Sequence, residues 1–191
     1  MDFKISELIE LIQITENLML EYGIPIRDTW KGFEGFNYDD FYSNGNSYGK
    51  KKLIKITVKE NGFAGIKAKK YHIPNFNNIA YDSYEICVPQ RLVGFNHPII
   101  HEIVHFLQAN TMEEDKNYIE YTGKDILQYL QYLGQRTELE AHFIQLLYID
   151  RYELEKIVSN ETIITEFRSK LHKLKNSQFN LILYAKTKGI I

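Results

Sequence analysis

The N-terminal segment of the chain carries hydrophobic residues at helical spacing. Between Ile5 and Tyr22 apolar residues recur about every 3.6 positions, which predicts an amphipathic helix. Gly23 and Pro25 follow directly and predict the end of that helix. Residues 26–50 are rich in glycine, asparagine, aspartate and aromatic residues and show no regular period, so we expect a loop with turns there.

The next segment alternates between apolar and polar residues, as half-buried strands do. The alternation runs from Lys52 to Lys59 and again from Phe63 to Tyr71, and the Asn61-Gly62 pair between them is typical of a hairpin turn. The two runs therefore predict an antiparallel hairpin with one buried face. The segment Tyr84 to Val88 predicts a third strand, which Pro89 ends.

The second half of the chain is mostly helical by its pattern. Asn96-His97-Pro98 is a helix-start signal, because proline suits the first turn, and this helix is expected to reach about Ala109. Another helix begins near Gly123, Gln135 to Tyr152 is strongly helical, and residues 161–187 predict one more helix. The pattern as a whole predicts an α+β fold, with a small antiparallel or mixed sheet packed on helices.

The length of the chain, 191 residues, suits a single domain with a sizeable core. We therefore expect one domain over residues 1–191. Its predicted parts in chain order are an N-terminal helix at 1–25, a small sheet at 50–90, the helices around the candidate site at 96–152 and a C-terminal helix at 160–188.

The composition is that of a globular protein, with 44% hydrophobic and 25% charged residues. A net charge of −2 gives no general attraction to nucleic acid or to an anionic membrane. The lysines of the predicted hairpin favour a solvated sheet face over a nucleic-acid patch, because no aromatic stacking pattern accompanies them. Nucleic acid and membrane are therefore not the expected partners.

The expected location follows from two further features of the sequence. Cys87 is the single cysteine, so no internal disulfide can form, and a reducing compartment fits. The sequence predicts neither a secretion signal nor a transmembrane span. We expect a cytoplasmic protein, with association with a phage or virion as a second setting.

The pattern most informative about chemistry is His101-Glu102-Ile103-Val104-His105. On a helix the two histidines lie on one face, where their imidazoles can bind one divalent metal ion together. The glutamate lies about 100° around the helix, beside the metal, where it can accept a proton from an activated water. This pattern indicates a zinc hydrolase if the segment is helical.

The residues around the motif predict that its helix is buried. Four apolar residues occupy the rest of its surface, namely Ile100, Ile103, Val104 and Leu107. Buried histidines and a buried glutamate need partners, and a metal ion supplies one. The alternative is a pair of core histidines satisfied by hydrogen bonds. His97 lies one turn before His101, but it precedes Pro98 and is expected at the helix cap.

A catalytic zinc ion usually takes three protein ligands, so a third ligand has to be found. The extended motif with a glycine and a third histidine is absent, because Gln108 and Thr111 stand at those positions. The best source is the predicted helix that contains Glu138 and His142, which are four apart and share a face. Glu140 lies on nearly the opposite side, and geometry alone does not choose between Glu138 and His142.

The motif, followed by Glu138-Leu139-Glu140-Ala141, resembles the gluzincin branch of zinc metallopeptidases, and especially its small single-domain members, the minigluzincins. The resemblance covers about residues 50–150. It implies a zincin-like fold, in which a small sheet packs on the motif helix and on a ligand-bearing helix, and it implies Glu138 as the third ligand. The family often has aspartate four residues after the ligand glutamate, and this chain has His142 at that position. His142 therefore stays open as a substitute ligand or as support for the ligands.

The resemblance also implies a mechanism. Zn²⁺ bound by His101, His105 and Glu138 would activate a water, Glu102 would act as general base, and the enzyme would hydrolyse peptide bonds in a peptide or protein substrate. The oxyanion donor stays open among His142 and four tyrosines, which are Tyr118, Tyr121, Tyr129 and Tyr132.

The strand before the motif helix is the substrate-binding strand by the same resemblance. It is expected at the sheet edge, where it would bind the substrate backbone by strand addition. Its residues here are Tyr84, Glu85, Ile86, Cys87 and Val88.

A second hypothesis is a non-catalytic protein that keeps the metal for stability, or a degenerate peptidase that serves as an interaction module. A phage, virion or scaffold component would fit this description. Glu102 separates the two hypotheses, because a purely structural metal site has no use for a general base and would have four protein ligands.

Overall fold

We describe the protein from a computed structural model, which covers residues 5–26, 53–60, 64–72, 80–108, 117–123, 125–173 and 177–191. These stretches form an α+β structure that is mostly helical, with one small mixed sheet. The expected loop at 26–50 and the Asn61-Gly62 turn fall almost entirely outside the described residues.

The sheet has three described strands, β1 (Leu53–Lys59), β2 (Gly65–His72) and β3 (Ala80–Pro89), in the order β1-β3-β2. Strand β3 pairs in parallel with β1 and antiparallel with β2. The predicted hairpin is therefore wrong in its pairing, because β3 lies between the two strands expected to be partners. Period-two alternation identifies a strand and its buried face, but it carries no information about the neighbouring strand.

The central place of β3 also overturns the expected edge position of Tyr84–Val88. Glu85, Ile86 and Cys87 have paired residues in both β1 and β2. Their backbone groups are used within the sheet, so this segment cannot add a substrate strand at an edge. The sequence is consistent with this place, since the run from Ile86 to Pro89 is buried at successive residues, whose side chains face opposite sides of the sheet.

Helix α1 (Ile5–Glu21) follows the predicted amphipathic pattern. Five apolar side chains on one face are buried, namely Leu8, Leu11, Ile12, Leu18 and Met19. The helix ends at Gly23, whose φ of 67° is left-handed and favours glycine, and Ile24 N–H donates back to the Met19 carbonyl at 2.8 Å. The predicted stop at Gly23 is confirmed.

The motif lies on α2 (His97–Leu107), which has Pro98 in its first turn and in which every residue is buried. The predicted helix and its burial are confirmed. Helix α2 packs mainly against α4 (Arg136–Tyr148) and also contacts α1, β2 and β3. The packing of α2 on α4 brings the motif to the helix in which the third ligand was expected.

Helices α3 (Ile126–Leu133) and α4 are separated at Gly134. Helix α4 continues through one π-helical turn, Ile149–Glu153, into the short helix α5 (Leu154–Ile157). The helical stretch therefore runs five residues beyond the expected end at Tyr152. A π turn inserts one extra residue per turn and rotates the side chains that follow it.

The C-terminal region holds two helices where one was predicted. Helix α6 (Glu161–His172) and helix α7 (Gln178–Thr187) replace the expected single helix at 160–188. The Ser177 hydroxyl accepts the backbone N–H of Asn180, so a new N-cap starts α7. The sequence pattern did not reveal this break, because the capping residue lies within a run of mixed polar and apolar residues.

The buried apolar side chains form one cluster to which α1, α2, α4, α6, α7 and β3 contribute. Buried residues of both α2 and α4 belong to this core. Among the described residues, no helix has the length and apolar character needed to cross a bilayer.

Candidate metal centre

Helix α2 presents His101 and His105 on one face, because residues four apart lie one turn above each other. Their Nε2 atoms are 3.1 Å apart, and the two rings are nearly perpendicular with centroids separated by 4.8 Å. Both side chains are buried. Two ring nitrogens therefore point to a common position beside the helix.

Helix α4 brings the Glu138 carboxylate to the same position. Its Oε1 lies 3.3 Å from Nε2 of His105, and its Oε2 lies 3.5 Å from Nε2 of His101. The residue is fully buried. Burial alone would raise the pKa of Glu138, but the charges and hydrogen bonds of His105 and His101 outweigh it and hold this pKa well below its usual range. Glu138 is thus an anion at neutral pH.

The separations between these groups fit ligands of one zinc ion. Zinc ligands at about 2.0–2.1 Å in a tetrahedron lie roughly 3.3–3.4 Å from one another. The observed separations of 3.1, 3.3 and 3.5 Å bracket that value. Oε2 of Glu138 is buried, so a cation between these atoms would compensate the charge of the carboxylate. The donor set of two nitrogens and one carboxylate also suits zinc.

His142 lies one turn after Glu138 and faces the same position. Its ring packs against that of His101 with centroids 4.4 Å apart. Ligand atoms of His101, Glu138 and His142 all lie within 4.8 Å of one another, and all three residues are buried. This cluster could hold a metal ion. The two residues that the sequence left as alternatives are therefore both at the site.

Glu140 lies apart from the cluster, as the sequence predicted. Its carboxylate accepts from Gln108 Nε2 at 2.6 Å and from Arg136 Nε at 2.8 Å. Gln108 is the residue that directly follows α2. Its hydrogen bond to Glu140 therefore links α2 and α4 away from the metal position.

Glu102 is buried next to the two histidines. Burial raises the pKa of its carboxyl, and the positive charges of His101 and His105 would act in the opposite direction. The backbone N–H of Ile66 in β2 donates to the Glu102 carboxylate. This hydrogen bond ties the Glu102 carboxylate to the sheet.

Two tyrosines bind the Glu138 carboxylate. Tyr118 Oη donates to Oε1 of Glu138 at 2.8 Å, and Tyr132 also hydrogen-bonds to Glu138. Burial and then the negative charge of Glu138 raise the pKa of both phenols, so both stay protonated donors. The other two tyrosines proposed as oxyanion donors, Tyr121 and Tyr129, pack against each other with ring centroids 4.8 Å apart.

A buried polar chain extends the site beyond the motif. Gln145 Oε1 lies 3.1 Å from His142 Nδ1, and Gln145 Nε2 lies 3.3 Å from His97 Nδ1. His97 is the first residue of α2, and burial, with the nearby His101, lowers its pKa to about 4. Sequence reasoning missed Gln145, although a single polar residue inside the apolar run Phe143–Tyr148 was a usable signal.

Glu153 is a second residue that the sequence did not single out. Its carboxylate accepts the backbone N–H groups of Asn96 at 2.7 Å and His97 at 3.2 Å. Because those donors begin α2, Glu153 serves as a cap supplied from another helix. No local pattern in the sequence indicates this contact, since it depends on the π turn that precedes α5.

Comparison of the chain with protein-family models, with curated proteins and with solved structures found no match in any of the three searches.

Proposed function

We propose that this protein is a zinc-dependent peptidase whose metal is bound by His101, His105 and Glu138 and whose general base is Glu102. One observation carries the proposal. Two Nε2 atoms and a carboxylate converge within 3.1–3.5 Å of one another, while a separate buried carboxylate stands beside them. A site that served only to hold a metal ion would not need that second carboxylate.

A zinc ion at this position would polarise a peptide carbonyl and make a neighbouring water acidic, with a pKa of about 7. The remaining chemistry belongs to the chain itself. The Glu102 carboxylate would take a proton from the attacking water as the new C–O bond forms. It would then deliver that proton to the amide nitrogen as the C–N bond breaks. The raised pKa of Glu102 suits a group that must hold a proton between these steps.

The supporting residues have separate tasks in this proposal. Tyr118 and Tyr132 orient Glu138 through their phenols, since both hydrogen-bond to its carboxylate. The Ile66 N–H orients Glu102. Such partners keep ligands and bases within the narrow geometry that catalysis requires.

Strand β2 replaces the central β3 as the strand expected to lie beside a substrate. Among the described residues β2 pairs only with β3, and its Ile66 N–H reaches Glu102. An extended peptide placed along β2 would bring a carbonyl close to the base. The substrate proposed is accordingly an extended segment of a peptide or an unfolded protein.

A non-catalytic metal protein is the second candidate, and His142 is the observation that favours it. A fourth protein ligand would close the coordination sphere, as in structural zinc sites. The buried cluster that includes His142 fits this role as well as a catalytic one. The two candidate functions differ in whether Glu102 acts as a general base.

The deciding experiment compares wild-type protein with Glu102→Gln and with the exposed control Glu161→Gln. Metal content is measured by elemental analysis, and hydrolysis is followed with casein and a mixed fluorogenic peptide library. We expect one zinc per chain in all three proteins and hydrolysis in the wild type and the control only. Absence of stoichiometric zinc, or hydrolysis that survives Glu102→Gln, would refute the proposal. Bound zinc with no hydrolysis by the wild type would favour the second candidate.

A further inference from the structure

Gln108 is a buried polar residue that the proposed mechanism does not use. It directly follows α2 and is 3% exposed, so its side-chain amide has to find partners inside the protein. On one side its Nε2 donates to Oε2 of Glu140 at 2.6 Å. Gln108 also lies three residues after His105, and these two side chains interact by hydrogen bonding. The amide therefore stands between a charged residue of α4 and a proposed metal ligand.

The contact with Glu140 fixes the direction in which the Gln108 amide points. A carboxylate oxygen accepts hydrogen bonds, so the part of the amide that faces Glu140 has to be the NH2 group. The amide oxygen, Oε1, is then left for the His105 ring. Oε1 of Gln108 and Nδ1 of His105 are both buried, so water does not readily replace either atom in this contact.

The Glu140 carboxylate is itself held in place. Its Oε1 accepts from Nε of Arg136, one turn earlier on α4, at 2.8 Å. The two carboxylate oxygens thus have different donors, one on α4 and one at the end of α2. Because rotation of the carboxylate would weaken both hydrogen bonds, the Gln108 amide is anchored in a defined position.

The opposite edge of the His105 ring lies at the metal position. Its Nε2 is 3.1 Å from Nε2 of His101 and 3.3 Å from Oε1 of Glu138. A histidine that binds a metal ion through one ring nitrogen almost always presents the other nitrogen to an acceptor, and that acceptor fixes the direction of the ring. Within the described part of the chain, the Gln108 amide is in place to serve His105 in this way.

We propose that Gln108 is a positioning residue of the metal site, which holds the His105 ring through its amide oxygen and is itself anchored by Glu140. This inference rests on the metal site of the proposed function, but it concerns how tightly the metal is bound and not the hydrolytic step. It also gives a role to the residue that stands where the extended motif has glycine. A glycine there would have no side chain with which to reach the histidine.

The test measures the zinc affinity of the folded protein by competition with a chromophoric chelator. Gln108→Leu removes the amide and keeps a side chain of similar size. We expect its zinc affinity to fall about tenfold or more, which is the loss typical for a residue that orients a metal ligand. Gln131→Leu, at an exposed glutamine of α3, is the matched control and should bind zinc as wild type does.

Two further variants separate the contact with His105 from the link between the helices. Glu140→Leu breaks the link but leaves the Gln108 amide beside His105, so we expect a smaller loss of zinc affinity than in Gln108→Leu. The double variant Gln108→Glu/Glu140→Gln exchanges the two partners and keeps an acceptor for His105. We expect it to bind zinc at least as tightly as wild type, because a carboxylate partner raises the basicity of a metal-bound histidine. It decides the question if circular dichroism shows that Gln108→Leu does not fold.

The outcomes distinguish failure of this inference from failure of the proposed function. Unchanged zinc affinity in Gln108→Leu would overturn the positioning role and leave the proposed function intact. Equal losses in Gln108→Leu and Glu140→Leu, or weaker zinc binding by the folded double variant, would do the same, because the helix link would then explain the effect. If folded wild-type protein binds no zinc, the proposed function fails and the positioning role fails with it.

Discussion

Glu153 and His97 lie 56 residues apart in sequence, yet Oε2 of Glu153 accepts the backbone N–H of His97 at 3.2 Å. The same carboxylate accepts the N–H of Asn96, so one side chain satisfies two donors at the start of α2. It also places a negative charge at the positive end of the helix that carries the motif. The contact ties the π turn after α4 to the orientation of that helix.

Removing this cap should weaken the fold. We expect Glu153→Ala to lower the free energy of unfolding by about 1–2 kcal/mol, because the buried N–H of His97 and the partly buried N–H of Asn96 lose their acceptor. The measurement is urea denaturation followed by circular dichroism. Glu155→Ala, two residues away and exposed, is the matched control and should change stability little. Equal stability of Glu153→Ala and wild type would show that water replaces the cap.

The hydrogen bond from Tyr118 to Glu138 should contribute to metal binding. Tyr118→Phe removes the hydroxyl donor and leaves the ring, so Glu138 loses a contact of 2.8 Å and keeps its packing. We expect zinc affinity to fall about tenfold, as typical for a residue that orients a ligand. Competition with a chromophoric chelator measures the change. Tyr121→Phe, whose ring packs on Tyr129, is the control, and a similar loss in both variants would contradict the prediction.

His97 should contribute to acid sensitivity of the metal-free protein. Its pKa is about 4 in the folded state against 6.5 when unfolded, so between these values the unfolded chain binds one more proton. The stability from neutral His97 is therefore complete above pH 6.5 and is lost as the pH falls from 6.5 towards 4.

The variant His97→Asn keeps an acceptor for Gln145 but cannot titrate. Between pH 6.5 and 4 we expect the free energy of unfolding of the variant to fall less steeply than that of wild type. The difference in slope should be about 1.4 kcal/mol per pH unit, which corresponds to the uptake of one proton on unfolding. Urea denaturation at several pH values in the presence of EDTA gives both curves. Parallel curves for the two proteins would mean that His97 titrates normally in the folded state.

The core packing of α2 should contribute strongly to the stability of the site. Phe106 is fully buried on α2 within the hydrophobic core. Phe106→Ala is expected to cost about 3–5 kcal/mol through lost burial and a residual cavity. Ile126→Ala is the comparison, since Ile126 is 71% exposed and should cost about 0.5 kcal/mol or less. Thermal unfolding of the two variants separates the cases, and similar melting temperatures would contradict the assignment of Phe106 to the core.

Local patterns in the sequence were sufficient for several parts of the structure. Residues close together in the chain account for the period of α1 and its stop at Gly23. They also account for the start of α2 near Pro98 and for the burial of α2. The same holds for the placement of His101 and His105 on one face, which needs only the pitch of a helix.

Other parts needed contacts between distant segments. The strand order could not be predicted, because alternation in β1 and β2 is the same whether they pair with each other or with β3. The division of the C-terminal region at Ser177 was missed because a cap residue inside a mixed pattern is not distinctive.

The sequence by itself determined that His101 and His105 lie on one face of a buried helix, since both properties depend on spacing within eleven residues. Only the tertiary structure decided that Glu138 and His142 both reach that motif and that Gln145 and Glu153 hold it in place. The physical reason is the distance along the chain over which each effect acts. Helix pitch and side-chain polarity act over a few residues, whereas the packing of α2 on α4 depends on the shape of the whole core.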